Sequence, residues 1–282
     1  MIRLSCMTWP YANVSFERAL AGIAGAGYRY VSFGLPHEGK PAFDDTVPEG
    51  AACVLRLLER YGLNPVTVVS TGVLSPQQPL DRAIQRMEFA MDIGVTELLS
   101  LGVGRYRRFP SEPRDASEFE RLHAAFVEKF KRLGEEAGKR GLVISLKPHT
   151  GNTATSRELD ATLRRIGSPH VKISYDPGNV RFYEGIDPAE DIPFVAADVV
   201  SLIAKDHKGA RAEPDFPIPG EGDVDFPGIF ASLRRVSFAG PVVLERLDGK
   251  TEALTAQEID TRIGTARRHL ERIATDAGFM CE

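Results

Sequence analysis

The chain has 282 residues, of which 43% are hydrophobic and 26% charged, with a formal net charge of -4. That length fits one full-sized core, and the composition excludes a disordered or fibrous chain. The mild acidity gives no general attraction to nucleic acid or an anionic membrane. Cys6, Cys53 and Cys281 are odd in number and widely spaced, with no CxxC pair, which argues against a disulfide scaffold or a thiolate zinc site. The opening MIRLSCMTWPYANV lacks a long apolar run, and no uncharged apolar span follows, so the expected setting is the reducing cytoplasm with no membrane partner.

Strand and helix patterns alternate along the chain. Ile2 to Cys6 reads as a first strand, and Ser15 caps a helix over Phe16 to Ala26. Arg29 to Phe33 is the second strand, and a helix over Val47 to Tyr61 stops at Gly62. Asn64 to Ser70 is a β-branched third strand, followed by a helix over Leu80 to Ile93 and a fourth strand over Thr96 to Leu101. A basic, aromatic loop over Gly102 to Pro113 carries Arg105, Tyr106, Arg107, Arg108 and Phe109. The longest helix, Ala116 to Lys139, precedes strand five at Leu142 to Leu146. Ser156 is a candidate cap for Ser156 to Ile166, Val171 to Tyr175 is strand six, and Pro188 to Ala197 holds a shorter helix. Val199 to Ala204 is strand seven, ahead of a long loop over Asp206 to Val224. A helix over Phe226 to Arg235, a strand over Pro241 to Leu244 and a helix over Thr255 to Ala277 close the chain. Eight strands with helical crossovers predict a (β/α)8 barrel, one domain over 1–282. A doubly wound sheet is disfavoured, since SCMTWPYANVSFE after strand one contains no glycine-rich dinucleotide fingerprint.

In such a barrel, ligand chemistry sits at the C-terminal strand ends, and several of these ends carry charge. Lys147 follows the apolar strand five and is read as holding an anionic or enolate oxygen, as a Schiff-base amine, or as a structural ion-pair partner. Asp176 follows VKISY, and Asn179 can return toward the same strand end through the Pro177-Gly178 turn. Glu245 ends PVVLE and needs a partner if buried, whether a metal, a mobile proton or Lys147. Lys205, Asp206 and His207 follow strand seven. If Ile203 points inward, Lys205 and His207 share its direction by the period of two. His149, His207 and His37 are candidates for acid–base or ligand contact, and Arg105, Arg107 and Arg108 for a carboxylate or phosphate. The Tyr106 and Phe109 interleaving is too sparse for a nucleic-acid platform.

With SCMTW, LKPHTGN, YDPGNV, AKDHKG, PGEGDVDFPGIF and GPVVLE in this order between Leu4 and about Leu270, the sequence resembles the xylose isomerase-like superfamily, in its branch of sugar phosphate isomerases and epimerases. The resemblance implies a divalent ion (Mn, Mg, Co or Zn) held by Glu, Asp, His and Glu from strand ends five to eight, with carboxylates shuttling a proton between adjacent carbons. Asp176 and Glu245 match the aspartate and the last glutamate, but Lys147 stands at the first glutamate and Ile203 at the histidine. The expectation is therefore a metal-free site in which Lys147, Glu245 and His149 do the chemistry. Asp176, Asn179, Lys205, Asp206, His207 and His37 then bind the substrate. The alternative is a metal site rebuilt around Asp176 and Glu245 with His149 or His207.

The expected activity is isomerisation or epimerisation of a sugar or keto-polyol. Against it stand a metal-independent lyase or decarboxylase on a sugar acid, and a carbohydrate-binding member without turnover. A related branch cleaves DNA at abasic sites with a histidine-rich zinc cluster, which six histidines and a negative charge disfavour here. The resemblance also implies a homo-dimer or tetramer.

Overall fold

A computed structural model describes residues 1–282. Eight strands, all parallel, close into a barrel in sequence order: β1 Arg3–Met7, β2 Tyr30–Phe33, β3 Asn64–Val69, β4 Glu97–Leu101, β5 Val143–Lys147, β6 Val171–Tyr175, β7 Val199–Ala204 and β8 Pro241–Leu244. Closure comes from β8 pairing with β1, with Leu4 opposite Val242 and Cys6 opposite Leu244. Seven longer helices cover the outside: α1 Phe16–Gly25, α2 Pro48–Tyr61, α3 Leu80–Asp92, α4 Ala116–Lys139, α5 Ser156–Ile166, α6 Phe226–Arg235 and α7 Ala256–Asp276. The main core of 58 buried residues lies between this helical ring and the barrel wall. None of the helices is long and apolar enough to cross a membrane.

Two expected elements change on folding. Thr155, not Ser156, caps α5, with its hydroxyl accepting from the Arg157 amide, while Ser156 donates from both its amide and its hydroxyl to Asp191. The predicted helix over Pro188 to Ala197 breaks into a four-residue helix, Pro188–Asp191, and two 3-10 turns, Ile192–Phe194 and Ala196–Asp198. Pro193 is the cause, since it has no amide hydrogen to donate and its ring clashes with the carbonyl four residues back.

Alternate residues on each strand point into the barrel, and they form three levels. The lowest is rich in hydroxyls: Ser5, Ser32, Thr67, Ser145, Ser174 and Ser201, all buried. Glu97 sits among them and accepts from Ser145 Oγ at 2.6 Å and Thr67 Oγ1 at 3.1 Å, with Ser201 Oγ also at 2.6 Å. Burial pushes its carboxyl pKa up, and the hydroxyl donors only partly oppose that. Above lies an apolar plug of Met7, Val69, Leu99, Ile203 and Val243. The next inward positions on β5 and just beyond β6, β7 and β8 are Lys147, Asp176, Lys205 and Glu245.

Candidate active site

Those four residues form one buried cluster of alternating charge. Lys147 Nζ donates a short hydrogen bond to Glu245 Oε2 and lies 3.2 Å from Asp176 Oδ2. Lys205 Nζ lies 2.5 Å from Glu245 Oε1 and 3.0 Å from Asp176 Oδ2. Two ammonium groups thus bridge two carboxylates, and the cluster carries no net charge. Burial raises the Glu245 pKa, but Lys147 and Lys205 outweigh it and bring the carboxyl down to about 2. Burial lowers the Lys205 pKa, and Asp176 and Glu245 more than reverse that, so Lys205 stands above the usual lysine range. It is therefore a cation rather than an amine nucleophile at neutral pH.

Local structure fixes each member. Asp176 caps the one-turn helix Pro177–Asn179, its Oδ1 accepting from the Asn179 amide at 2.9 Å. Asn179 returns as the sequence suggests: Lys205 Nζ donates to its Oδ1 at 2.9 Å, and its Nδ2 donates to the Pro148 carbonyl at 2.8 Å. The ends of β5, β6 and β7 are tied together in this way. Gly178 permits the contact, since a Cβ there would stand 2.6 Å from Lys205 Cγ and 2.7 Å from the Lys205 carbonyl oxygen.

His149 lies just beyond Lys147, with its ring 4.2 Å from that of Tyr183 and its buried Nδ1 lacking a partner. Burial, with Arg105, Lys147 and Lys205 nearby, depresses its pKa to about 3. At neutral pH it is an uncharged imidazole, with one ring nitrogen carrying a hydrogen and the other free to accept a hydrogen bond.

The other sequence candidates are occupied elsewhere. Asp206 is wholly buried and accepts four backbone amides, from His207 (2.8 Å), Gly220 (2.9 Å), Gly222 (2.9 Å) and Val224 (3.1 Å). Both its oxygens are taken, so it staples the 206–224 loop instead of facing a ligand. Gly222 is required at this staple, because a Cβ would come within 2.3 Å of Asp206 Oδ1. His207 does not follow Lys205 inward. The strand ends at Ala204, and the His207 ring packs against Phe182 and Phe216 while Nε2 donates to the Glu213 carbonyl at 2.7 Å. His37 is likewise a loop residue. Its Nδ1 faces the Tyr11 and Val14 carbonyls, so it carries the proton, and Nε2 accepts from Thr8 Oγ1 at 3.0 Å. Arg108 pairs with Glu112 on the surface, and Arg105 lines a cleft beside Arg114. We expect Asp206→Ala to cost roughly 2–4 kcal/mol, because several buried amides lose their acceptor together. Urea unfolding measures this, and an unchanged midpoint would return Asp206 to the ligand-binding set.

Sequence reasoning missed two features. One is Glu97, although the shared parity of Glu97, Leu99 and Leu101 on β4 carried the signal. The other is an aromatic roof. Phe109 meets Phe182 at 5.3 Å and Tyr183 at 4.9 Å, Phe182 meets Phe216 at 5.1 Å, and Arg246 stacks 3.8 Å over the Phe216 ring. These residues come from the loops after β4, β6, β7 and β8, and no periodic pattern marks them.

Comparison with known proteins places this geometry. Over 99% of the chain and 90% of the relative, it is 24% identical to the rhizopine catabolism protein MocC of Rhizobium meliloti. It is 25% identical to the L-ribulose 3-epimerase of Methylomonas sp. over 81% of the chain and 77% of that protein. With the inosose dehydratase of Geobacillus kaustophilus it shares 22% over 67% of the chain and 69% of that protein. The crystal structure of a D-allulose 3-epimerase from Methylomonas sp. in complex with D-allulose superposes with a TM-score of 0.71 at 18% identity, covering 96% of each chain. The family model for xylose isomerase-like TIM barrels matches residues 20–272, and the chain belongs to that family.

Proposed function

We propose that this protein is an isomerase- or epimerase-like enzyme that moves a proton on a small sugar or keto-polyol at the C-terminal mouth of the barrel, without a metal. The observation that carries this reading is the buried square of Lys147, Asp176, Lys205 and Glu245. The enzyme class draws support from relatives named as an epimerase and a dehydratase.

A divalent ion does not fit these residues. Both Glu245 oxygens and Asp176 Oδ2 are engaged by ammonium groups, and Asp176 Oδ1 caps a helical turn. A lysine stands where the family's first carboxylate ligand would, and repels a cation. Ile203, at the histidine position, belongs to the apolar plug. Neither histidine replaces it, since His207 is turned into its loop and no group of three or more His, Cys, Asp or Glu side chains converges anywhere. A selective catalytic metal site normally keeps three protein ligands.

The ammonium groups supply the positive charge such chemistry needs. A ketose presents a carbonyl and an adjacent hydroxyl, and Lys147 and Lys205, which face the same two carboxylates, would hold one oxygen each. They would stabilise the negative charge that develops on them as the neighbouring C–H proton leaves. Substrate oxygens drawing the lysines away leave Glu245 more basic than in the closed square, and it takes that proton, while the depressed pKa of His149 makes it a weak base. Return of the proton to the adjacent carbon gives an isomer. Return to the opposite face of the same carbon gives an epimer.

The inosose dehydratase relative favours a second reading, in which a hydroxyl next to the new carbanion leaves as water. Chelator-treated protein incubated in deuterated water with ketopentoses, ketohexoses and inososes tests both by proton NMR. Loss of a single C–H signal with a new sugar isomer is the expected result. A dehydrated enone supports elimination. Binding without exchange or product across the panel would leave a carbohydrate-binding protein.

A further inference from the structure

The charged square is shut in. Lys147 and Glu245 are 7% exposed, Lys205 5% and Asp176 0%. Surface clefts open elsewhere, among them those between Trp9, Arg246 and Leu254, between Gln77, Arg105 and Arg114, and between Tyr106, Glu158 and Glu184. None of these is lined by a member of the square. A ligand reaches the lysine ammonium groups only after part of the cover moves.

Most of the cover is pinned. Asn179 is held by Pro148 and Lys205, His207 by the Glu213 carbonyl, and Arg246 by Asp248 at 2.6 Å. Tyr183 is different. Its carbonyl accepts from Arg211 Nε at 2.7 Å, but its phenol hydroxyl has no partner within the protein. Its half-buried ring packs on three other rings, those of His149 (4.2 Å), Phe182 (4.8 Å) and Phe109 (4.9 Å). It rises from Val180–Glu184, a π-helical turn that directly follows the turn capped by Asp176. Such turns are rare and tend to lie at functional sites. Asp176, Lys147, Arg105 and Arg246 are all close enough to act on the phenol, whose pKa burial pushes up.

We propose that the Tyr183 ring is the gate of the charged site, swinging off His149 and Phe109 to admit a ligand to Lys147 and Glu245 and closing over it. The proposal rests on the square being the ligand site, yet its test needs no turnover. In full-length K147C, iodoacetamide alkylation of the introduced thiol is followed by peptide mass spectrometry, with exposed Cys53 as internal reference. A cover open only a minor fraction of the time protects the thiol, so adding Tyr183→Ala is expected to speed alkylation at least about tenfold. Adding Tyr183→Phe instead keeps the ring and is expected to leave the rate unchanged. Equal rates with and without Tyr183→Ala overturn the gate, as does an equal acceleration by Tyr183→Phe. Should Tyr183→Ala fail to fold, Phe109→Ala frees the outer face of the ring and carries the same test. Turnover by the wild type with unchanged alkylation of the K147C variants sinks the gate alone, and gated alkylation without wild-type turnover sinks the enzyme reading alone.

Discussion

Replacing Lys147 with alanine is expected to lower turnover by about 10²–10³-fold, the range for removing one electrostatic donor from a water-excluded site. The protein should remain folded but lose stability. Lys147 is one of two cations facing a wholly buried Asp176 and a 7% exposed Glu245, and its loss leaves negative charge uncompensated. Breaking a buried pair in this way costs about 3–5 kcal/mol, and the remaining bridge from Lys205 reduces that to roughly 2–4 kcal/mol. The loss should depend on pH. The folded Glu245 carboxyl titrates at about 2, below its unfolded value, so its pairing stabilises the fold above the unfolded carboxylate range and ceases to do so as pH falls through about 2. The gap between wild type and variant is therefore widest near neutrality and narrows in acid. Denaturant titrations at several pH values, beside the deuterium-exchange assay, check both parts. Full activity with an unchanged midpoint would remove Lys147 from the mechanism.

Metal uptake should switch with two substitutions. Wild-type protein exposed to manganese, zinc and magnesium and then desalted is expected to retain no stoichiometric ion. The paired change Lys147→Glu with Ile203→His supplies the carboxylate and imidazole that the family resemblance implies beside Asp176 and Glu245. Four ligands instead of two should raise retention to about one ion per chain. Elemental analysis by plasma mass spectrometry reads this directly. One ion retained by the wild type, and lost in Asp176→Ala, would overturn the metal-free reading and redirect assays to metal-dependent epimerisation.

Much of the architecture was legible in the linear chain. Strand runs of four to six residues separated by amphipathic helices have only a few ways to close, and parallel strands joined by helices bury both faces of the sheet. The period of two then sends Lys147, Asp176, Lys205 and Glu245 to one end of one barrel, where the four meet.

Folding decided what those groups do with one another. Lys147 and Glu245 meet across 98 residues of sequence, and nothing local chooses between a pair, a metal and a free base. Loop residues were the least legible. Asp206, His207 and His37 look like site residues by type, yet their partners are backbone amides and carbonyls, with a Thr8 hydroxyl for His37, brought in by turns that carry no period. Tyr183 and Phe109 converge from two separate loops, and Glu97 finds its hydroxyl donors only when β3, β4, β5 and β7 share one interior. Periodicity fixes which face a strand residue takes, whereas the partner across the barrel is set by closure of the whole ring. The fold and the convergence of the four charged strand ends were therefore written in the sequence, and the charge pairing and the packing of the loop aromatics were settled by tertiary structure.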